Sequence, residues 1–468
     1  MAFVIAAPSS GTGKTILSML LTSWARENGL SIQPFKVGPD YLDPMQVSPI
    51  AGRPCRNLDL ILCKSTWIKN NFLHYGGLTD LAIIEGVMGL FDGLGSTSKG
   101  STADVAKTLD LPVVLVVNSS GQAASLAALV QGFRDMDSEL KIAGVVLNNV
   151  NSNRHKILLT EVLNNIRMPI LGVIPSDDRL KLPSRHLGLI PPHQIRNLES
   201  QKVCWATIAK NNLDISSFRH LLKAPKHLNG SVELITEKEQ ERRHTLPLRP
   251  IAIAEDEAFH FRYEETKEYF ERLKMPLIGW KPTKDQELPK EAKGLIIPGG
   301  FPEEYAEQLS TASRSIQSIR SFFGKHPIYA ECGGMLYLGD QIKTKNNKIY
   351  KMSGILPFQA ERSKLTVGYR KIKSNRDSLI LRSGDCLVGH EFHHWEIKEK
   401  NDLQSKDVGK YIYRGLKLYN PWKVEGWGSK QREEGWSNEI FHASWIHIHL
   451  PTAPKVLSLF RESVDLYS

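Results

Sequence analysis

The chain has 468 residues, 41% of them hydrophobic and 24% charged, and carries a formal net charge of +10. That length is too great for one ordinary core and suits two domains of roughly 200 residues each. No run approaches the ~18 consecutive apolar residues of a transmembrane helix, and the apolar start lacks a signal peptide's basic region.

Lysines and arginines are dispersed, with no basic helix interleaved with aromatics. This argues against a nucleic-acid partner and for a solvated basic surface or a polyanionic small substrate. Cys55, Cys63, Cys204, Cys332 and Cys386 form no C-x-x-C pair. Neither a disulfide framework nor a zinc site is expected, and a reducing cytoplasm is the natural setting.

In chain order, short apolar runs at 3–7, 81–84, 113–117, 142–147 and 169–174 predict strands of a buried parallel sheet. Helical periodicity falls between them, at 16–26 and 123–133. Alternating strands and helices predict a doubly wound α/β domain over residues 1–193. Residues 194–248 loosen into a helical or linker region with a charged stretch from Thr236 to His244, ending near Pro247 and Pro250. A second α/β domain is expected over 249–468, with strands at 251–254, 294–297, 327–330 and 443–448.

Between the first strand and first helix lies Pro8-Ser9-Ser10-Gly11-Thr12-Gly13-Lys14-Thr15. A Gly-rich turn there presents backbone N–H groups and a helix N-terminus to phosphates. Lys14 would reach the terminal phosphates and the Thr15 hydroxyl would sit on Mg²⁺. Pro8 stands where the strict pattern has its first glycine, so a plain strand–helix turn is the competing reading. Two acidic stretches favour the phosphate site: Asp40 and Asp43 in a Gly/Pro-rich loop, and Glu85 and Asp92 after an apolar strand. A carboxylate at the carboxyl end of a parallel strand is where a Mg²⁺ ligand is needed. Asn148, ending another strand, could read an adenine edge or cap a turn.

The second domain carries Pro327-Ile328-Tyr329-Ala330-Glu331-Cys332-Gly333-Gly334. A strand ending in Cys and two glycines suits a tight turn that exposes a nucleophile and donates N–H groups to an oxyanion. Gly299 and Gly300 form a companion turn, and His447 and His449 share one face of the expected last strand. One of these histidines would accept the thiol proton. His390 and His394 are four apart, but the glycine and aromatic content around them makes a long metal-binding helix doubtful.

Together these segments resemble the cobyrinic acid a,c-diamide synthase family over nearly the whole chain. The resemblance rests on stretches 7–15, 36–44, 85–93 and 184–189, and on 254–263, 298–306, 329–334, 389–394 and 443–449. It implies a dethiobiotin-synthetase-like N-terminal domain with a phosphate loop and parallel sheet, and a class I glutamine amidotransferase C-terminal domain. It implies ATP, Mg²⁺ and glutamine as co-reactants, acyl phosphates at the a and c acetates of a corrinoid polyacid, and leaves room for a homodimer.

Position by position, Cys332 matches the nucleophile, His447 its base, and Gly300 and Gly333 the oxyanion donors. Gly11, Thr12, Gly13, Lys14 and Thr15 match the nucleotide contacts, and Asp40, Asp43, Glu85 and Asp92 the synthetase acids. Thr15, Asp40 and Glu85 are the expected Mg²⁺ ligands. Class I enzymes often place Glu two residues after the catalytic His; His449 stands there, which leaves the third triad member open. Arg262 and Trp445 replace aromatics usual in the family. The rivals are hydrogenobyrinic acid or nickel sirohydrochlorin as substrate, a partitioning-type ATPase, and a scaffold with an inactive amidase.

Overall fold

The computed structural model describes residues 2–180, 184–185, 188–189, 198–226, 246–399, 410–413 and 416–467. His186 and Leu187 of the family stretch, and the charged run from Thr236 to His244, lie outside these residues. The chain divides into two compact units, Met1–Glu233 and Leu234–Ser468.

The first unit is built on a seven-stranded sheet. Its strands are β1 (Phe3–Ala6), β2 (Ile32–Val37), β3 (Arg56–Leu58), β4 (Leu81–Glu85), β5 (Val113–Asn118), β6 (Ile142–Val150) and β7 (Ile170–Pro175), in spatial order β3-β2-β4-β1-β5-β6-β7. All of its pairings are parallel. The continuous apolar runs have a simple cause. Alternate residues enter separate cores, Val4 and Ala6 on one face, Phe3 and Ile5 on the other. In β5 the same split sends Val113, Leu115 and Val117 to one side and Val114 and Val116 to the other. A sheet covered on both faces has no polar side to show.

Two strands escape the sequence pattern, β2 and β3. In β2 the apolar run is broken by Gln33, Pro34 and Lys36, yet every residue is buried. The expected linker region also differs. The helices Leu198–Asn212 and Ile215–Leu221 place Trp205, Ile208, Ala209 and Phe218 in the core shared with helix α1 (Lys14–Glu27). The Ala82 N–H donates to Leu222 O at 2.8 Å, tying this segment to the start of β4.

In the second unit Leu277–Trp280, Ile251–Ala254, Gly294–Ile297, Ile328–Glu331 and Phe441–Ser444 form the parallel part of an eight-stranded sheet. Antiparallel strands Trp436–Ser437, Leu416–Tyr419 and Lys410–Tyr413 extend it. A separate, mostly antiparallel sheet is dominated by a long ribbon, Phe358–Ser374 against Cys386–Glu399.

The expected strand 443–448 stops at Ser444. Side chains capture the next N–H groups: Glu434 takes that of Trp445 at 2.9 Å, and Glu331 takes that of Ile448 at 3.1 Å. His447 meets only a local antiparallel bridge to His390. His390 itself lies on a strand and not a helix, so its spacing to His394 has no helical meaning.

Candidate active sites

At the carboxyl ends of the first unit's strands, Gly13 caps α1 with φ 120°, a conformation costly for residues with a side chain. A Cβ there would also stand 2.3 Å from Asn148 Nδ2. The Asn148 amide explains the contact: Nδ2 donates to Thr12 O at 2.9 Å, and Oδ1 accepts from the Asn149 N–H at 3.0 Å. Asn148 thereby braces the phosphate loop as well as lining the cleft. The cleft, about 580 Å³, is walled by Gly11, Gly13, Lys14, Thr15, Lys36, Asp40, Asp43 and Asn148 among others. That is a normal volume for a small-ligand site.

Register decides the electrostatics. Lys36 on β2 lies opposite Glu85 on β4, and both are buried. Lys36 Nζ donates to Glu85 Oε1 at 2.9 Å and to Gly86 O at 3.1 Å, pairs closely with Asp43, and stands 3.8 Å from Asp40. Burial opposes its charge, but Asp43, Glu85 and Asp40 hold the ammonium protonated well beyond the usual lysine range. Asp40 is pushed up to about 7 by burial and by Asp43. Burial also raises Glu85, whereas Lys36 overrides burial and keeps Asp43 low. Lys14 donates to Ser9 O at 3.1 Å and Met88 O at 2.5 Å, and falls to about 8 through burial and the neighbouring Lys36.

Sequence reasoning named the three carboxylates and overlooked their common counter-ion. The available signal was a lysine inside an otherwise buried strand, a place where charge needs a partner. Asp92 Oδ2 accepts the Gly89 N–H at 2.8 Å and closes a turn, while its charge acts on Lys14. Among the described residues no three acidic, His or Cys groups converge as a metal cage. Lys36 stands among the acids of the expected Mg²⁺ trio and balances their charge. Thr15 Oγ1 donates to Glu85 Oε1 at 2.7 Å, while Glu85 Oε2 is buried without a hydrogen-bond partner. A hydroxyl and one or two carboxylates are what Mg²⁺ takes when phosphates complete its shell.

In the second unit Cys332 follows Ile328–Glu331 at the turn into the helix Gly333–Leu338. Its backbone is strained, with φ 44° and ψ −103°, at a tight strand-to-helix turn, and its side chain is buried. The Cys332 N–H is held by Ser444 O at 2.7 Å. Close approach explains the glycines: a Cβ on Gly300 would lie 2.0 Å from Ala258 O, and one on Gly333 2.9 Å from Gly300 N. The two expected oxyanion donors are thus neighbours. Burial, then the carboxylates of Glu303 and Glu391, push the Cys332 thiol well above its ordinary range, with the Gly333 N–H pulling the other way. Glu303, overlooked in the sequence, is itself raised to about 7 by burial, and its Oε2 is buried without a hydrogen-bond partner.

His447 is pinned on three sides. Its main chain exchanges hydrogen bonds with His390 at 2.8 and 2.9 Å. Its ring leaves no room for a Cβ on Gly299, which would meet Cε1 at 2.4 Å. Its Nδ1 lies 3.3 Å from Glu331 Oε2. His449 turns elsewhere, to Thr452 Oγ1 at 2.9 Å and the Tyr263 ring, and burial lowers it to about 3. The two histidines do not act as a pair on one strand face.

Residues 3–190 match a CobQ/CobB/MinD/ParA nucleotide binding domain, and residues 250–454 a CobB/CobQ-like glutamine amidotransferase domain. The chain is 37% identical over 466 residues to the cobyrinate a,c-diamide synthase of a Synechococcus species, covering 99% of this chain and 98% of that protein. The chain belongs to the cobyrinate a,c-diamide synthase family. Another member, from Caldanaerobacter subterraneus, is 36% identical with 96% of this chain and 95% of the relative covered. The Streptomyces coelicolor relative, a hydrogenobyrinate a,c-diamide synthase, is 35% identical over 98% of this chain and 96% of its own. Membership makes the chain a glutamine-hydrolysing ligase with a nucleotide-binding domain. Among the described residues no helix is long and apolar enough to cross a membrane.

Proposed function

We propose that the chain amidates the a and c acetate carboxylates of cobyrinic acid, using ATP, Mg²⁺ and ammonia released from glutamine. At the thiol site, His447 takes the Cys332 proton and the thiolate attacks the glutamine side-chain amide. The C–N bond breaks, the proton leaves with ammonia, and water hydrolyses the thioester to glutamate. Gly300 and Gly333 N–H groups steady the oxyanion.

At the phosphate site, Gly11, Thr12, Gly13 and Lys14 would cradle the nucleotide, Asn148 would face its base, and Thr15 and Glu85 would hold Mg²⁺ with help from Asp40. Mg²⁺ would neutralise the transferring phosphate. Lys36 keeps Asp43 ionised there and favours the charged form of Glu85 against the burial that raises it. The γ-phosphoryl group of ATP passes to the substrate carboxylate with ADP as leaving group, and ammonia then attacks the acyl phosphate and expels inorganic phosphate to leave the amide. The observation that carries this reading is Thr15 on Glu85 at the head of α1, with the other Glu85 oxygen buried and unpartnered.

A cobalt-free ring is the second reading, favoured by the near-equal identity to the Streptomyces relative. ATP hydrolysis with glutamine, compared for cobyrinic acid, hydrogenobyrinic acid and no corrinoid, tests both. Corrinoid-dependent phosphate release with a mass change from acid to amide is expected. Turnover indifferent to every corrinoid would remove the substrate assignment.

A further inference from the structure

We infer that Glu331, the residue immediately before the nucleophile, is the positioning carboxylate that completes the thiol site. The inference rests on Cys332 and His447 being the glutaminase pair, and fills the place that His449 leaves open. Glu331 is buried at the end of its strand, and its two oxygens have different duties. Oε1 accepts the Ile448 N–H at 3.1 Å and a close hydrogen bond from the Tyr329 hydroxyl. Two donors on one oxygen fix the carboxylate plane. Oε2 is left aimed at His447 Nδ1, 3.3 Å away.

A carboxylate at Nδ1 keeps the proton on that nitrogen and leaves Nε2 as the acceptor. That is the tautomer a thiol base requires, and the one an orienting acid enforces in nucleophile–His–acid sites generally. The imidazole cannot turn away, because its main chain is locked to His390 and Gly299 lies flat against the ring. The same carboxylate, by capturing the Ile448 N–H, also helps draw this segment out of the sheet. Sequence position explains why such a residue is easily missed. The acid sits beside the cysteine in the chain and not beside the histidine.

The test compares Glu331→Gln, Glu331→Asp and Tyr329→Phe with the parent. The readout is glutamine-supported amidation divided by ammonium-supported amidation in the same full-length preparation, so that misfolded protein cancels. Glu331→Gln should lower this ratio on the order of 10²–10⁴-fold through kcat, with KM for glutamine changed less than about threefold. Glu331→Asp should recover part of the loss, and Tyr329→Phe should lose about threefold to tenfold. A ratio for Glu331→Gln within about threefold of the parent would overturn the inference, as would a loss confined to KM. Cys332→Ser, run in parallel, separates the two claims: glutaminase activity surviving in it would sink the underlying pair instead.

Discussion

The two sites are held by different physics. Around the phosphate loop, a buried ammonium and three carboxylates set one another's charge, with Lys36 at the centre. Around Cys332, position is set by backbone: a strained cysteine, glycines in contact with neighbouring main chain, and a histidine clamped by a bridge. A charge-built site should respond to protonation, metal and neutralising substitutions. A shape-built site should be indifferent to metal and fail when a methyl group is added or when the acceptor that orients its histidine is lost.

At the phosphate site the largest effect is expected at Glu85. Glu85→Gln should reduce amidation at least ~100-fold with either glutamine or ammonium as nitrogen source, because the proposed Mg²⁺ loses its carboxylate. Full turnover with ammonium would detach Glu85 from the synthetase chemistry. Next is Lys36→Met, which leaves Asp40, Asp43 and Glu85 without their counter-ion. Removing one partner of a buried charge cluster costs about 3–5 kcal/mol, readable as an earlier urea transition of the first unit. An unchanged transition would mean the cluster is not held by charge.

Asp40 supplies a smaller, pH-signed effect. Its folded-state carboxyl titrates near 7, above that of the unfolded chain, so the folded state binds more protons between those values. Stability contributed by this group is fully present at acid pH and is lost as pH rises towards 7. Asp40→Asn should therefore stabilise the metal-free protein at pH 8 by about 1–2 kcal/mol, allowing for coupling to Asp43, with little gain near pH 4. Thermal melts at the two pH values check this, and equal shifts at both would refute it.

The smallest effect lies in the other site. Glu303 titrates near 7 and its charge opposes the Cys332 thiolate. Glu303→Gln should speed Cys332 alkylation about threefold at pH 8 and leave it unchanged at pH 6. A pH-independent change would point to altered access instead.

What the sequence disclosed follows the same division. β1 and β5 were legible because a sheet covered on both faces needs unbroken apolar runs. β2 was not, since Pro34 and Lys36 interrupt the pattern while the fold buries both. The turn at Cys332 was legible from the glycines that follow it in the chain, even though the close approaches that require them, to Gly300 and Ile297, are distant in sequence. Glu331 and Lys36 were not, since each acts on residues far along the chain: His447 for one, Glu85 for the other. The end of the strand at Ser444 was hidden for a related reason, as the acceptors for Trp445 and Ile448 come from Glu434 and Glu331. Helices after residue 197 read as a helical or linker region because charged and polar residues interrupt their apolar positions, though Trp205 and Phe218 reach the first core.

The central claim is a division of labour between a thiol site that makes ammonia and a phosphate site that uses it. The most direct measurement is amide formation by Cys332→Ala, followed by mass spectrometry with glutamine and then with ammonium as the nitrogen source. The account predicts product with ammonium at near the parent rate and, with glutamine, a loss of at least ~10³-fold. Loss of both activities, or glutamine-supported product from the variant, would contradict it.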